Sequence, residues 1–158
     1  AAWSSGVIAA GGVTDSRDKT DAVFCFDSSR GEWLAWPQLP QPAAYHGLCC
    51  TEDGRVWVAG GHGSERLLSG VWWLDPRQGA WSAWPQGLRG PRWSHVLLPA
   101  PTGAANPSIL AAGGYGSYGS RYRLRYLDTI EVLDVRREEM RIEGRLSCPR
   151  SRLAGVTI

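Results

Sequence analysis

Val7-Ile8-Ala9-Ala10-Gly11-Gly12 decides the fold, because the stretch comes back twice. It recurs as Val56-Trp57-Val58-Ala59-Gly60-Gly61 and as Ile109-Leu110-Ala111-Ala112-Gly113-Gly114, at steps of 49 and 53 residues. Self-similarity at a period near 50 marks a repeat architecture. Each copy reads as a short buried strand closed by two glycines. Glycine is needed there because the backbone must take positive φ or approach another backbone closely.

Outward from these anchors the rest of the chain falls into register. Ala22 to Asp27, Gly70 to Asp75 and Thr129 to Asp134 are apolar strands that end in Asp. Six residues after each Asp stands Trp33, Trp81 or Met140. The segment Pro42-Ala43-Ala44-Tyr45-His46-Gly47 matches Pro91-Arg92-Trp93-Ser94-His95-Val96, and Cys148-Pro149-Arg150-Ser151-Arg152-Leu153 holds the same place in the third unit. Four short strands per unit make an antiparallel meander. One such sheet cannot bury both faces alone, so the units must stack.

This pattern resembles the kelch repeat over essentially the whole chain in three copies. The resemblance implies an all-β fold, a β-propeller of kelch type with three four-stranded antiparallel blades. It spans residues 1–158, with repeat cores at about 7–54, 55–107 and 108–158. It also implies that the diglycines Gly11-Gly12, Gly60-Gly61 and Gly113-Gly114 end the second strand of each blade, and that Trp33 and Trp81 pack between blades. The third unit departs with Met140 at the Trp position, and the first with Ala43 where Arg is usual. Kelch rings usually hold six blades, so further blades are expected from more chain or from a second copy. Ala1-Ala2 aligns with Cys49-Cys50, and Leu153 to Ile158 reads as the same innermost strand, cut short.

Composition narrows the function classes. Of 158 residues 43% are apolar and 20% charged, as in a globular domain. No apolar run reaches the roughly 20 residues that cross a bilayer as a helix, so membrane insertion is not expected. Residues 1–79 carry 6 Lys+Arg against 9 Asp+Glu, and residues 80–158 carry 11 against 6. So mild a balance does not predict a nucleic-acid binder. The cysteines Cys25, Cys49, Cys50 and Cys148 form no CxxC pair. Cys25 and the vicinal pair sit in apolar runs, where reduced, buried thiols are expected. A cytoplasmic setting follows as the default expectation.

Two groups are candidates for partner binding. Kelch resemblance places the loops that open each innermost strand at one mouth of the ring, where His46, His95 and Arg152 are aligned. Pro149-Arg150-Ser151-Arg152 is similar to the Pro-Arg-x-Arg segment with which some adaptor propellers hold acidic peptides. Guanidinium groups there would make bidentate, charge-assisted contacts. The alternative for the histidines is a hydrogen bond to a neighbouring blade. The second candidate is the loop Tyr115 to Tyr126, with Tyr115, Tyr118, Arg121, Arg123 and Arg125. Tyr, Ser, Gly and Arg compose adaptable recognition surfaces; the alternating arginines also fit a solvated strand face.

Catalysis is not expected. Some kelch-type propellers resemble copper sugar oxidases, but the chain has only His46, His62 and His95. No nucleophile triad, carboxylate pair or phosphate loop can be assigned, and no metal or cofactor is called for. The expected role is a protein-interaction module that recognises a protein or acidic peptide, as in substrate adaptors, ubiquitin-ligase adaptors or actin-binding scaffolds. The alternatives are a structural subunit of a large assembly and, in another class, a propeller enzyme of sugar oxidase or epimerase type.

Overall fold

The structure, a computed structural model, describes residues 6–100, 108–118 and 121–156. All of its regular elements are strands. Sheet I is β1 (Gly6–Ala10), β2 (Val23–Asp27) and β3 (Glu32–Trp36), in that order. Sheet II is β4 (Gly47–Cys50), β5 (Val56–Ala59), β6 (Val71–Asp75) and β7 (Ala80–Ala83). The remaining strands are β8 (Arg92–Trp93), β9 (Val96–Pro99), β10 (Ser108–Ala112), β11 (Tyr115–Tyr118), β12 (Arg121–Tyr126), β13 (Thr129–Asp134) and β14 (Glu139–Arg145). Sheet III runs β9-β10-β13-β14, and a smaller sheet IV runs β8-β11-β12. Every pairing is antiparallel. Sheets I to III are the three predicted units; among the described residues they do not close into a ring.

Two expectations are corrected. Sheet I has three strands among the described residues, and the Ala1-Ala2 alignment lies outside them. Residues 153–156 form no strand. Gly155 packs on the side chains of Val96 and Leu98. The segment 115–126, expected as a loop, is the hairpin β11–β12.

The recurring Asp closes a turn. In unit one the Asp27 carboxylate accepts the backbone N–H groups of Ser29 and Arg30, at 2.9 and 3.3 Å. Asp75 accepts that of Arg77, and Asp134 those of Arg136 and Arg137. Asp side chains favour this local bond over strand continuation. The tight turn then sets the register, pairing Asp27 with Glu32 and Phe26 with Trp33. Leu74 opposite Trp81 and Leu133 opposite Met140 repeat it. The six-residue spacing in the sequence is therefore the length of one turn.

Each glycine of a pair has its own neighbour. A Cβ on Gly60 would lie 2.5 Å from the Arg92 carbonyl oxygen, in the closing loop of the same unit. A Cβ on Gly61 would lie 2.8 Å from the Ala44 carbonyl oxygen, in the unit before. Both residues have positive φ, 62° and 98°. The diglycine thus sits where three stretches of backbone converge, and the sheets stack through it.

Candidate functional site

The joints between units place the candidate residues. In each unit the second diglycine N–H donates to one carbonyl of the closing loop: Gly12 to Ala43, Gly61 to Arg92, Gly114 to Arg150, all at 2.8 Å. Ala43, Arg92 and Arg150 are therefore equivalent. Two residues on, a backbone stair links the units, with Ser94 N–H donating to Tyr45 O and Arg152 N–H to Ser94 O, each 2.8 Å. All three residues have positive φ, at 58°, 51° and 55° for Tyr45, Ser94 and Arg152.

This stair corrects the sequence alignment by one position. Arg152 is the counterpart of Tyr45 and Ser94, whereas Leu153 is the counterpart of His46 and His95. A Cβ on the first glycine of each pair would meet His46, His95 and Leu153 in turn, at 2.8, 3.0 and 3.2 Å. His95 is buried at 6% exposure, and neither ring nitrogen has a hydrogen-bond partner. Burial, with the nearby Arg92 charge and then His46, pushes its pKa down to about 3. His46 is largely buried too, and desolvation lowers its pKa against an opposing backbone hydrogen bond at Ala10. The His95 imidazole is therefore closed to a partner protein, whereas His46 keeps part of its surface. What faces solvent from the stair is Tyr45, 58% exposed, and Arg152. Arg150 is exposed as well.

Beside the stair runs an aromatic ladder that the sequence reading did not assemble. His62 lies 5.3 Å from Trp93, Trp93 lies 5.4 Å from Tyr115, and Tyr115 lies 5.1 Å from Tyr126, centroid to centroid. Strand register makes the ladder: Tyr115 is directly opposite Trp93 on one side and Tyr126 on the other. Cross-strand aromatic pairs of this kind stabilise a sheet face. His62 joins through a backbone bridge to Ala44. Its end is open, with Tyr126 59% and Leu124 44% exposed. Arg123 and Arg125 are exposed on the same strand and, by alternation, project from its other face. The side chains of Tyr118 and Arg121 lie outside the described residues. The signal that could have revealed the ladder was the alternation in residues 121–126, which marks a strand.

The remaining predicted positions are structural. Trp81 lies between sheets I and II, where its indole N–H donates to the Pro37 carbonyl at 2.9 Å. Trp33 stacks on Phe26 at 5.3 Å and is 52% exposed, with no sheet over that face among the described residues. Cys25 and Cys49 are buried free thiols, but Cys50 is exposed, a correction that follows from its place at the outer end of β4. Burial pushes the Cys49 thiol up to about 12, so it is inert at neutral pH. No group of three or more His, Cys, Asp or Glu among the described residues could hold a metal ion.

Four-stranded antiparallel sheets closed by diglycines and stacked through them define a β-sheet repeat protein. Residues 43–85 match the Kelch motif, a span from Ala43 through all four strands of sheet II. The match covers one of the three units, and the antiparallel sheets on either side of it are consistent with kelch blades. No curated protein matches it.

Proposed function

We propose that this protein is a binding module that recognises a partner protein through the aromatic ladder and the exposed hairpin end. The observation that carries the reading is the ladder itself. Trp93, Tyr115 and Tyr126 form a continuous apolar strip leading to an open end. Leu124 is exposed on the same strand as Tyr126, Arg123 and Arg125 are exposed on that strand's opposite face, and Tyr45 and Arg152 are exposed on the stair. Rigid aromatic side chains give contact area at low entropic cost, and arginines add charge-assisted bonds to carboxylates. Kelch propellers commonly mediate protein binding, which agrees with this use. The favoured ligand is an acidic peptide segment that also carries apolar residues, as a substrate adaptor or scaffold would take.

Selection from a displayed random-peptide library tests this, with counter-selection on a Tyr126→Ala/Arg123→Ala/Arg125→Ala variant. Enriched sequences should contain Asp or Glu next to apolar residues. Their affinity should fall at least about tenfold in the variant, roughly what losing one aromatic and two charged contacts removes. Peptides that bind both proteins equally would refute the assignment.

A further inference from the structure

The joint between sheets I and II holds an open slot at the place where the next joint seats an arginine. At the second joint the Arg92 guanidinium is wholly buried. One of its terminal nitrogens donates to the carbonyls of Ala111, Gly113 and Thr129 at 3.4, 3.1 and 3.4 Å. The other donates to the Thr129 hydroxyl at 2.9 Å and to the Glu131 carboxylate. At the first joint the equivalent residue is Ala43. What remains there is a narrow cleft of about 20 Å³, open to solvent and lined by Leu39, Ala43, Val58, Gly60, Gly70 and Trp72 among others.

The backbone of the lining matches the Arg92 seat position for position, with Gly70 in the place of Thr129 and so without its hydroxyl. Gly60 N–H donates to Gly70 O as Gly113 N–H donates to Thr129 O. Val58 pairs with Trp72 as Ala111 pairs with Glu131. The carbonyls of Val58, Gly60 and Gly70 thus stand where those of Ala111, Gly113 and Thr129 receive a guanidinium. Trp72 stands in the place of Glu131. Its indole nitrogen folds to within 3.1 Å of where a Gly70 Cβ would be, so the ring walls the slot.

We infer that this slot is a binding seat for a guanidinium group supplied by an arginine side chain of a partner peptide. Guanidinium is planar and weakly hydrated, and it accepts an indole wall in place of a carboxylate. The second joint needs Glu131 because its cation is fully buried. The first joint opens to solvent beside Gly70, which is exposed, so a cation there keeps part of its hydration. An ammonium, with its stronger hydration, suits the slot less. This inference does not rest on the ladder reading: the slot has its own lining and its own probe.

The test is an NMR titration of the full chain with acetyl-arginine methylamide, and with the acetyl-lysine and acetyl-citrulline methylamides as controls. The arginine compound should give saturable shifts at the Gly60 and Gly70 amides and the Trp72 indole. Lysine and neutral citrulline should bind at least about tenfold more weakly. Ala43→Arg, which fills the slot from within, should abolish the shifts. Trp72→Glu, which restores the carboxylate of the second joint, should tighten binding several-fold. It decides the matter even if Ala43→Arg does not fold. Equal binding of citrulline or lysine, shifts linear in concentration, or no tightening in Trp72→Glu would overturn the proposal. A ligand site confined to the ladder would shift Tyr115 and Trp93 instead and would also overturn it.

Discussion

The two joints of this molecule solve the same packing problem with opposite chemistry. Between sheets I and II the buried core is Val23, Leu39, Ala43, Val58 and Leu68, and a slot is left open beside it. Between sheets II and III the core is larger, with Trp57, Trp84, Leu97, Ile109 and Leu133 among its members. That joint is crossed by the buried Arg92–Glu131 pair. Both oxygens of Glu131 are used, because the Arg89 backbone N–H donates to the second at 2.9 Å. Both carboxylate oxygens and both terminal guanidinium nitrogens are thus hydrogen-bonded, which helps a buried ion pair offset its desolvation cost. One backbone plan, set by the diglycines, tolerates either a pair of charges or an alanine and an indole. The fold is specified by backbone convergence, and the joint side chains adjust its strength.

The sharpest way to break the comparison is to strand one charge of the second joint. Glu131→Ala leaves the Arg92 guanidinium buried at 1% exposure with carbonyls and a hydroxyl but no anion. A broken buried pair costs about 3–5 kcal/mol. That is a large share of a small domain's stability. Urea unfolding should show a much lower midpoint, and Arg92→Met/Glu131→Leu should recover most of the loss. If Glu131→Ala is as stable as the parent, the pair contributes nothing and the joints do not differ in the way described.

The next effect is a pH dependence centred on the same joint. Burial lowers the folded pKa of His95 from 6.5 to about 3, so the unfolded chain takes the proton first. Stability is full above about pH 6.5 and is lost as pH falls toward the folded value. Between pH 7.5 and pH 5 the loss should be about 2 kcal/mol, from the 1.5 units below the unfolded pKa at roughly 1.4 kcal/mol each. Asp27 and Asp75, whose pKa values are lowered by hydrogen bonds with Ser29 and Arg77, lose their contributions only in a more acid window. His95→Leu, which copies Leu153 of the third unit, should remove most of the slope in urea midpoints measured at pH 5, 6 and 7.5. A slope unchanged by that substitution would assign the effect elsewhere.

These properties were unevenly legible in the sequence. Diglycines, terminal Asp residues and the six-residue spacing are local, and each follows from one turn or one close backbone approach. Three copies therefore sufficed to read the sheets. The joint chemistry is not local. Arg92 and Glu131 are 39 residues apart in different units, and nothing near either announces the other. Arg152 aligns with the histidines only if shifted by one, because the third unit carries Leu153 at their position. Only the stair of backbone bonds from Tyr45 through Ser94 to Arg152 fixes the register. The ladder stayed hidden because residues 115–126 look like a glycine-rich loop, and strand pairing with Trp93 is a long-range event.

The smallest expected effect is the one that sharpens the comparison most. Arg150 occupies the position of Arg92: its carbonyl accepts from Gly114, and its N–H donates to Leu127 at 3.1 Å as that of Arg92 donates to Leu68 at 3.3 Å. The residue type, the preceding proline and the backbone are shared. The difference is that among the described residues no sheet packs over Arg150, and its side chain is exposed. Arg150→Ala should therefore change stability by less than about 0.5 kcal/mol, as at an ordinary surface site. Arg92→Ala, which leaves Glu131 buried without its cation, should cost several-fold more. Urea midpoints of the two variants, measured side by side at pH 7.5, give the contrast directly. Equal costs would mean that the arginine acts through its own loop, not through the neighbour it reaches. Unequal costs would locate its whole contribution in the joint.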